Sequence, residues 1–183
     1  MKKIRFIPKI LFFTGLSASG KTTLACFLKK KLQKLGIKNI KYIDGDEFRN
    51  KFKYFKYDIH QRNKVGDKKI KFANSFIKLN KLVIVTGIAA DSNWRRKIKR
   101  KNPHLIEIYT KCPLKICKDR DFKKNYIKAK NKQIKSFVGV NNKYKEGKSV
   151  DITVNTYRRR PSYNIIKIIK FLITKKYVYY EQV

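Results

Sequence analysis

One contiguous stretch of this chain carries the residue types that bind phosphate. It is Gly15-Leu16-Ser17-Ala18-Ser19-Gly20-Lys21-Thr22, which fits the pattern G-x-x-x-x-G-K-[ST]. The two glycines let successive backbone N–H groups converge on phosphate oxygens, and the dipole of the following helix favours the same negative charge. The lysine can then reach the terminal phosphates, and the threonine hydroxyl can coordinate Mg²⁺ together with water and phosphate oxygen. The pattern therefore predicts a site for a nucleoside triphosphate and Mg²⁺. The residues expected to hold them are Gly15, Ser17, Ala18, Ser19, Gly20, Lys21, Thr22 and Thr23.

Two carboxylates follow a short apolar run further along the chain. Asp44-Gly45-Asp46 comes directly after Ile40–Ile43, and ligands of open α/β sheets bind at the carboxyl ends of the strands. There, Asp44 or Asp46 can orient an attacking hydroxyl and accept its proton, or hold a water bound to Mg²⁺. Asp-Gly-Asp is also a good turn sequence by itself. From the residues alone, both interpretations stay open.

The elements that would position these residues alternate along the chain. Apolar runs of strand length recur between segments whose apolar residues have helical spacing. The predicted strands are Met1–Phe13, Ile40–Ile43, Leu82–Thr86, Leu105–Tyr109 and Val150–Val154. The predicted helices cover 21–35, 62–76, 92–100, 113–120 and a final segment after Pro161, whereas residues 47–60 are expected to be irregular. The alternation predicts an α/β fold of the P-loop NTPase type, with a five-stranded parallel sheet flanked by helices.

Residues 121–149 interrupt this alternation. They contain many lysines and little continuous apolar patterning. Such a stretch between regular elements suits a lid over a bound nucleotide, and an exposed insertion fits the pattern equally well. The 183 residues are expected to form one domain, because the length suits a single core and nothing in the composition supports two.

The chain is strongly basic, with 48 lysines and arginines against 12 acidic residues and a formal net charge of +36. Such a charge attracts polyanions through counterion release, so a nucleic-acid-binding protein is one interpretation. The basic residues are mostly lysine and spread along the whole chain, whereas a dedicated nucleic-acid surface more often clusters its charge and uses arginine. We therefore favour the interpretation that the excess of lysine comes from drift in the overall amino-acid composition. We expect only non-specific attraction to nucleic acid at low salt.

The cysteines and the apolar segments bear on where the protein works. Cys26, Cys112 and Cys117 are odd in number and lack metal-type spacing, so neither a disulfide framework nor a zinc site is indicated. The apolar segment 165–173 is interrupted by two lysines and is too short to span a bilayer. These features favour a reducing cytoplasm and no membrane partner.

Three motifs together give the chain a family resemblance. The first is the phosphate loop with Thr23, close to G-L-S-G-[SA]-G-K-T-T, and the second is Asp44-Gly45-Asp46 with Arg49, similar to D-G-D-N-x-R. The third comprises Arg120-Asp121, Tyr126, Lys128, Ala129 and the stretch Ile134–Val140. It looks like R-D-x-K-x-L-Y-x-K-A leading into E-I-K-x-F-T-G-I. On these motifs the chain resembles the adenylylsulfate kinase (APS kinase) family over most of residues 10–157.

The resemblance implies transfer of the γ-phosphoryl group of ATP to the 3′-hydroxyl of adenosine 5′-phosphosulfate (APS). The product would be 3′-phosphoadenylyl sulfate, used in sulfate assimilation or by sulfotransferases. Lys21 with Asp44 or Asp46 would then carry the chemistry, with Thr22 on the metal and Arg120 at the adenine of ATP. The residues expected to bind APS are Asp46, Arg49, Tyr57, Arg62, Ile134, Lys135 and Phe137.

The resemblance also implies which part of APS each of these residues would bind. Arg49 and Arg62 match positions that grip the phosphosulfate, which suits the bidentate geometry of arginine. Tyr57 and Phe137 match aromatics that stack on the adenine of APS. Lys135 belongs to the lid and would complete the positive cage when the lid closes. We also expect a homodimer.

Departures from the family pattern fall near the expected APS pocket. Val65 stands where the family has asparagine, three residues after Arg62. Ile88-Ala89-Ala90-Asp91 replaces I-S-P-Y, and Glu47 replaces the asparagine of D-G-D-N. These differences keep open a divergent kinase that acts on another nucleotide-linked metabolite. A nucleic-acid-binding P-loop protein is the second alternative.

Overall fold

The computed structural model describes residues 2–54, 58–148 and 150–182. Its strands are β1 Lys2–Phe6, β2 Ile10–Thr14, β3 Ile40–Ile43, β4 Leu82–Thr86, β5 Leu105–Lys111, β6 Ile152–Asn155 and β7 Val178–Gln182. Its helices are α1 Lys21–Lys34, α2 Gly45–Lys51, α3 Ile59–Ile77, α4 Ser92–Arg100, α5 Leu114–Asp119, α6 Asn125–Lys130 and α7 Pro161–Thr174. Strands and helices alternate from β2 to α7, so the predicted α/β class is confirmed.

Five strands form the central sheet, in the order β3-β4-β2-β5-β6, and all of them are parallel. The middle strand β2 is buried along its whole length because helices cover both faces of the sheet. Leu11 and Phe13 pack into a core with α1 and α7, whereas Ile10 and Phe12 pack into a second core with α3 and α4. The strand order changes direction at β2, which creates a crevice at the carboxyl ends of the strands.

Residues 2–13 belong to two strands and the segment between them, so the prediction of one strand over Met1–Phe13 is wrong for the described part of that stretch. Strand β1 ends at Phe6, close to Pro8, which has no backbone N–H to donate to a β-ladder. β1 then pairs antiparallel with β7 in a separate two-stranded ribbon, from Lys2 opposite Gln182 to Phe6 opposite Val178. β7 was not predicted at all.

The segment 47–60 was predicted to be irregular, but its first residues belong to helix α2. The side chain of Asp44 caps this helix, since its Oδ1 accepts hydrogen bonds from Asp46 N at 2.9 Å and Glu47 N at 3.3 Å. Phe48 anchors the helix in the second core. Asp44 followed three residues later by Glu47 has the spacing of a capping box, so the signal was present in the sequence.

Across the described ranges, no helix is both long and apolar enough to cross a membrane. The last helix, α7, is amphipathic instead. Ile165, Ile168 and Leu172 face the core, whereas Ile166 is exposed. This helix therefore covers one face of the sheet beside α1.

Candidate active site

A cavity of about 970 Å³ opens at the carboxyl edge of the sheet. Its walls come from the phosphate loop, the segment 44–50, one face of α3, the end of β4 and the segment 120–125. Phe137 and the turn that leads into α7 close the remaining side. The cavity is thus built at the crevice that the strand order creates, where an open α/β sheet binds its ligands.

The phosphate loop is held by β5. Gly15 has φ +141°, and a Cβ there would lie 2.8 Å from the carbonyl oxygen of Thr110, so a side chain is excluded. Ser19 is buried, with its Oγ 2.7 Å from Thr110 Oγ1. Ala18 and Gly20 have φ of 56° and 87°. These left-handed conformations curl the backbone around the start of α1, as a phosphate cradle requires.

Lys21 and Thr22 occupy the first turn of α1. Lys21 Nζ donates a hydrogen bond to the carbonyl oxygen of Leu16, and burial lowers the pKa of this lysine to about 8. Thr22 Oγ1 donates to Asp44 Oδ2 at 3.2 Å. A hydroxyl backed by a carboxylate fits Mg²⁺, which takes few protein ligands and keeps several waters. The predicted nucleotide residues that line the cavity are Ser17, Ala18, Gly20, Lys21, Thr22, Thr23 and Arg120.

Asp44 is largely occupied by hydrogen bonds from the protein. Besides capping α2, it accepts hydrogen bonds at Oδ2 from Tyr42 Oη at 2.9 Å and from Thr86 Oγ1 at 3.0 Å. Burial alone would raise the pKa of Asp44, but these bonds and the amides of α2 hold it below its usual value. Asp44 therefore stays ionised and fixes the end of β3 against the end of β4.

Asp46 differs from Asp44 because it is exposed on the wall of the cavity. Its Oδ2 lies 2.6 Å from Nζ of Lys123, in the segment that was predicted to be a lid. Of the two carboxylates, Asp46 is therefore the more accessible from the cavity. The ion pair with Lys123 also links Asp46 to this segment, part of which lines the cavity.

Several predicted APS-binding residues also line the cavity. Arg62 is buried, and its guanidinium lies 6.0 Å from the ring centroid of Phe137. Phe137 in turn contacts Tyr126 edge to face, with ring centroids 5.2 Å apart. Arg49 donates from Nη1 to the carbonyl oxygen of Tyr54 at 3.3 Å. The structure thus brings two arginines and one aromatic ring together with Asp46 around one space.

Two other predicted residues are not brought to this space. Among the residues described, Ile134 and Lys135 do not line the cavity. Ile134 packs on the small cluster around Phe137, and Lys135 is exposed. Tyr57 lies outside the described residues. Arg120 does line the cavity and donates from Nη2 to the carbonyl oxygen of Thr156 at 3.1 Å.

Sequence reasoning missed Lys69, which also lines the cavity. It is only 6% exposed and donates from Nζ to the carbonyl oxygen of Thr86 at 2.7 Å. Burial, aided by the positive charge of Arg49, lowers its pKa to about 7. Lys69 follows Arg62 by seven residues on α3, a spacing that places both on one helix face. That signal was present, but it was hidden among the many exposed lysines of this chain.

Arg95 was also missed, although it organises one side of the site. It is 1% exposed and forms a buried ion pair with Glu107 of β5 at 2.6 Å. The same guanidinium donates to the carbonyl oxygens of Ala89, at the cavity wall, and of Lys145, the latter at 2.7 Å. Glu107 is further held by Thr14 Oγ1 at 3.0 Å. Arg95 therefore ties the loop after β4 to the segment that follows Phe137.

Known proteins resemble the chain over most of its length. A model of the adenylylsulphate kinase family matches residues 7–155. The adenylyl-sulfate kinase of Clostridium acetobutylicum is 34% identical over 168 residues, covering 89% of this chain and 82% of that protein. The cytidine diphosphoramidate kinase of Campylobacter jejuni is also 34% identical over 168 residues, covering 92% of this chain and 96% of that protein.

A solved structure shows the same architecture. The Mycobacterium tuberculosis APS kinase in complex with AMPPNP and APS superposes with a TM-score of 0.83 at 27% identity, covering 92% of this chain and 99% of that one. This similarity confirms the predicted P-loop NTPase fold with its five-stranded parallel sheet. The match of the family model to residues 7–155 confirms the family that the motifs indicated. The chain belongs to the adenylylsulphate kinase family.

Proposed function

We propose that this protein is an ATP-dependent kinase that phosphorylates the 3′-hydroxyl of APS. One observation carries the proposal: a single cavity is lined by the phosphate loop, Asp46, Arg49, Arg62 and Phe137. Triphosphate-binding groups and an acceptor-binding set thus face each other at the carboxyl edge of the sheet. Family membership and the names of the relatives support the same activity.

The cavity supplies what phosphoryl transfer requires, which is positioning and neutralisation of charge. Lys21 and the loop amides offset the negative charge that develops on the transferred group. Asp46 orients the acceptor hydroxyl and takes its proton. Asp44 instead supports Thr22, because the hydrogen bonds of Asp44 are already used within the protein. Bound Mg²⁺, held through Thr22, would supply further neutralisation of the phosphates.

The acceptor is held by charge and by an aromatic wall. Arg62 and Arg49 bind the phosphosulfate, and Phe137 covers the base, with Tyr57 proposed as its second face. We propose that residues 121–149 act as a lid on a single-domain enzyme, and that Ile134 and Lys135 reach the acceptor only when this lid closes. The ion pair of Lys123 with Asp46 supports such a lid, because both residues line the cavity and the pair joins the segment to helix α2.

Phosphorylation of a cytidine diphosphate derivative is the second candidate function. Val65 and Ala89 both line the cavity at the positions where the sequence departs from the APS kinase pattern. The relative named cytidine diphosphoramidate kinase is as similar to this chain as the adenylyl-sulfate kinase is, and this chain covers more of its length. Each named substrate joins a nucleotide phosphate to a second acid group, which the same arginines can bind.

Measurement of ADP release from Mg-ATP decides between these acceptors. We expect turnover with micromolar APS and a 3′-phosphorylated product, and loss of that turnover in Lys21→Ala. Turnover with cytidine diphosphoramidate and none with APS would establish the second candidate. If neither is phosphorylated and random DNA is bound at physiological salt, the nucleic-acid-binding alternative replaces both.

The setting of the reaction is proposed from simpler features. The three cysteines are free, and two of them are buried, which suits a reducing cytoplasm where ATP is available. We propose that the product serves sulfate assimilation and that the enzyme is a homodimer, to be tested by light scattering. The net charge predicts weak attraction to nucleic acid that disappears at physiological salt.

A further inference from the structure

The buried ammonium of Lys69 has no role in the reaction as described so far. The side chain extends from the face of α3 that also carries Arg62 and Val65, so it points into the acceptor part of the cavity. In the described part of the chain it makes no ion pair. A buried charge without an ion-pair partner reduces stability, which indicates a use that offsets this cost.

Two glycines leave room for this ammonium. A Cβ on Gly87 would lie 2.6 Å from Lys69 Nζ, and a Cβ on Gly45 would lie 3.3 Å from it. Both glycines follow strands of the central sheet, one after β4 and one after β3. The ring of Phe12 lies on the remaining side, with its centroid 5.7 Å from Nζ. The ammonium is therefore seated at the carboxyl edge of the sheet, where ligands bind.

The ammonium also has hydrogen bonds left to give. It carries three N–H donors. Thr86 O is the one acceptor that the described residues place within hydrogen-bond distance. Val65, one helical turn before Lys69, offers no polar atom at the position where the family has asparagine. One turn further along the helix, Lys69 places a polar group on the same helix face.

We propose that Lys69 is a specificity-determining residue, whose ammonium binds an anionic oxygen of the second acid group on the acceptor nucleotide. This inference rests on the proposed function, because it assumes an acceptor with an acid group joined to its nucleotide phosphate. Such an oxygen completes the hydrogen bonding of Lys69, and a charge-assisted bond of this kind is strong where water is excluded. Lys69 and Arg62 then bind the acid group together from one helix face.

Binding measurements test this proposal separately from turnover. Protein saturated with Mg-AMPPNP is titrated with APS, cytidine diphosphoramidate, inorganic pyrophosphate and AMP, which lacks the second acid group. We expect Lys69→Met to weaken binding of whichever of the first three the wild type binds by about 10-fold to 100-fold. Its affinities for AMP and for AMPPNP should stay within about twofold of the wild type. Lys71→Met, an exposed lysine on the same helix, is the matched control and should change none of these affinities.

Four outcomes would overturn the inference. The first is wild-type affinity of Lys69→Met for all of the acid-bearing ligands, and the second is an equal loss for AMP. The third is that wild-type protein binds none of these ligands. Lys69→Gln, which keeps a donor without the charge, should lose less affinity than Lys69→Met; an equal loss in both variants, together with a lowered melting temperature, would assign Lys69 to support of Thr86 instead. Failure of the proposed function is distinct, since it appears as absence of ADP release while the binding difference remains.

Discussion

The two halves of the cavity are built in different ways. The phosphate-binding half is made of consecutive residues, Gly15 to Thr23, whose backbone conformation presents the amides. The other half, which we propose binds the acceptor and call the acceptor half, is made of side chains from α2, α3 and the segment around Phe137, with Arg95 and Glu107 behind them. A site made of backbone depends on a few glycines, so it is recognisable as a motif. A site made of dispersed side chains can change its ligand through single substitutions, and the departures at Val65 and Ala89 fall in that half.

The largest effect is expected from a change in the phosphate-binding half. Lys21→Ala removes the charge at the transferred group, so we expect kcat to fall by on the order of 10³-fold with every acceptor. Steady-state ADP release measures it, with Lys30→Ala on the exposed side of α1 as the control. Near-normal activity in Lys21→Ala would remove the loop from the chemistry.

Removal of the support behind the acceptor half should reduce stability most. Arg95→Met leaves Glu107 buried without its ion partner and frees two carbonyls, so we expect a loss of about 3–5 kcal/mol in the free energy of unfolding. Arg5→Met breaks an exposed ion pair with Glu181 and should cost no more than about 1 kcal/mol. Urea denaturation of both variants gives the comparison. Equal losses would show that the buried pair does not organise this side of the cavity.

Replacement of Lys69, the buried lysine of the acceptor half, should increase the free energy of unfolding. The pKa of Lys69 is about 7 in the folded protein and about 10.5 when exposed, so between these values the unfolded chain binds more protons and wild-type stability rises with pH. Lys69→Met lacks this dependence. We expect it to be more stable than wild type by about 2–4 kcal/mol at pH 7, with the gain shrinking towards pH 10. A gain that does not depend on pH would mean that Lys69 is already neutral or solvated at pH 7.

Substitution of Arg62 should change the KM for the acceptor much more than the KM for ATP. Arg62→Ala removes a cation from the acceptor half alone, so we expect the KM for the acceptor to rise about 100-fold and the KM for ATP to change by less than about threefold. Lys64→Ala, exposed on the same helix, is the control. If both KM values rise equally, Arg62 supports the fold and does not bind the acceptor.

The smallest effect is expected from Val65→Asn, which tests whether position 65 in the acceptor half selects between the two acceptors. Val65→Asn restores the family's amide on the cavity wall, so we expect the KM for APS to fall about 5-fold to 10-fold relative to that for cytidine diphosphoramidate. The free protein should lose about 1–2 kcal/mol of stability, because the buried amide lacks a partner until the ligand binds. An unchanged ratio of the two KM values would show that position 65 does not select the acceptor.

The sequence was informative where local pattern decides structure. The phosphate loop, the five parallel strands and the family followed from motifs and periodicity, because each depends on neighbouring residues. Asp44 and Asp46 could be proposed as a pair, but the different roles that we propose for them could not, since they depend on hydrogen bonds to Asp44 from Tyr42 and Thr86. Lys69 and Arg95 were missed because basic residues are everywhere in this chain, and only the fold shows which of them are buried.

The ribbon of β1 and β7 was missed for a related reason, and it bears on the order of folding. Its pairs join residues about 170 to 180 positions apart, from Phe6 with Val178 to Lys2 with Gln182. Closing so long a loop costs entropy before any contact rewards it. We therefore expect the ribbon to form after α7 has docked on the sheet. Its amides should be among the first to exchange with solvent deuterium, well before those of β2.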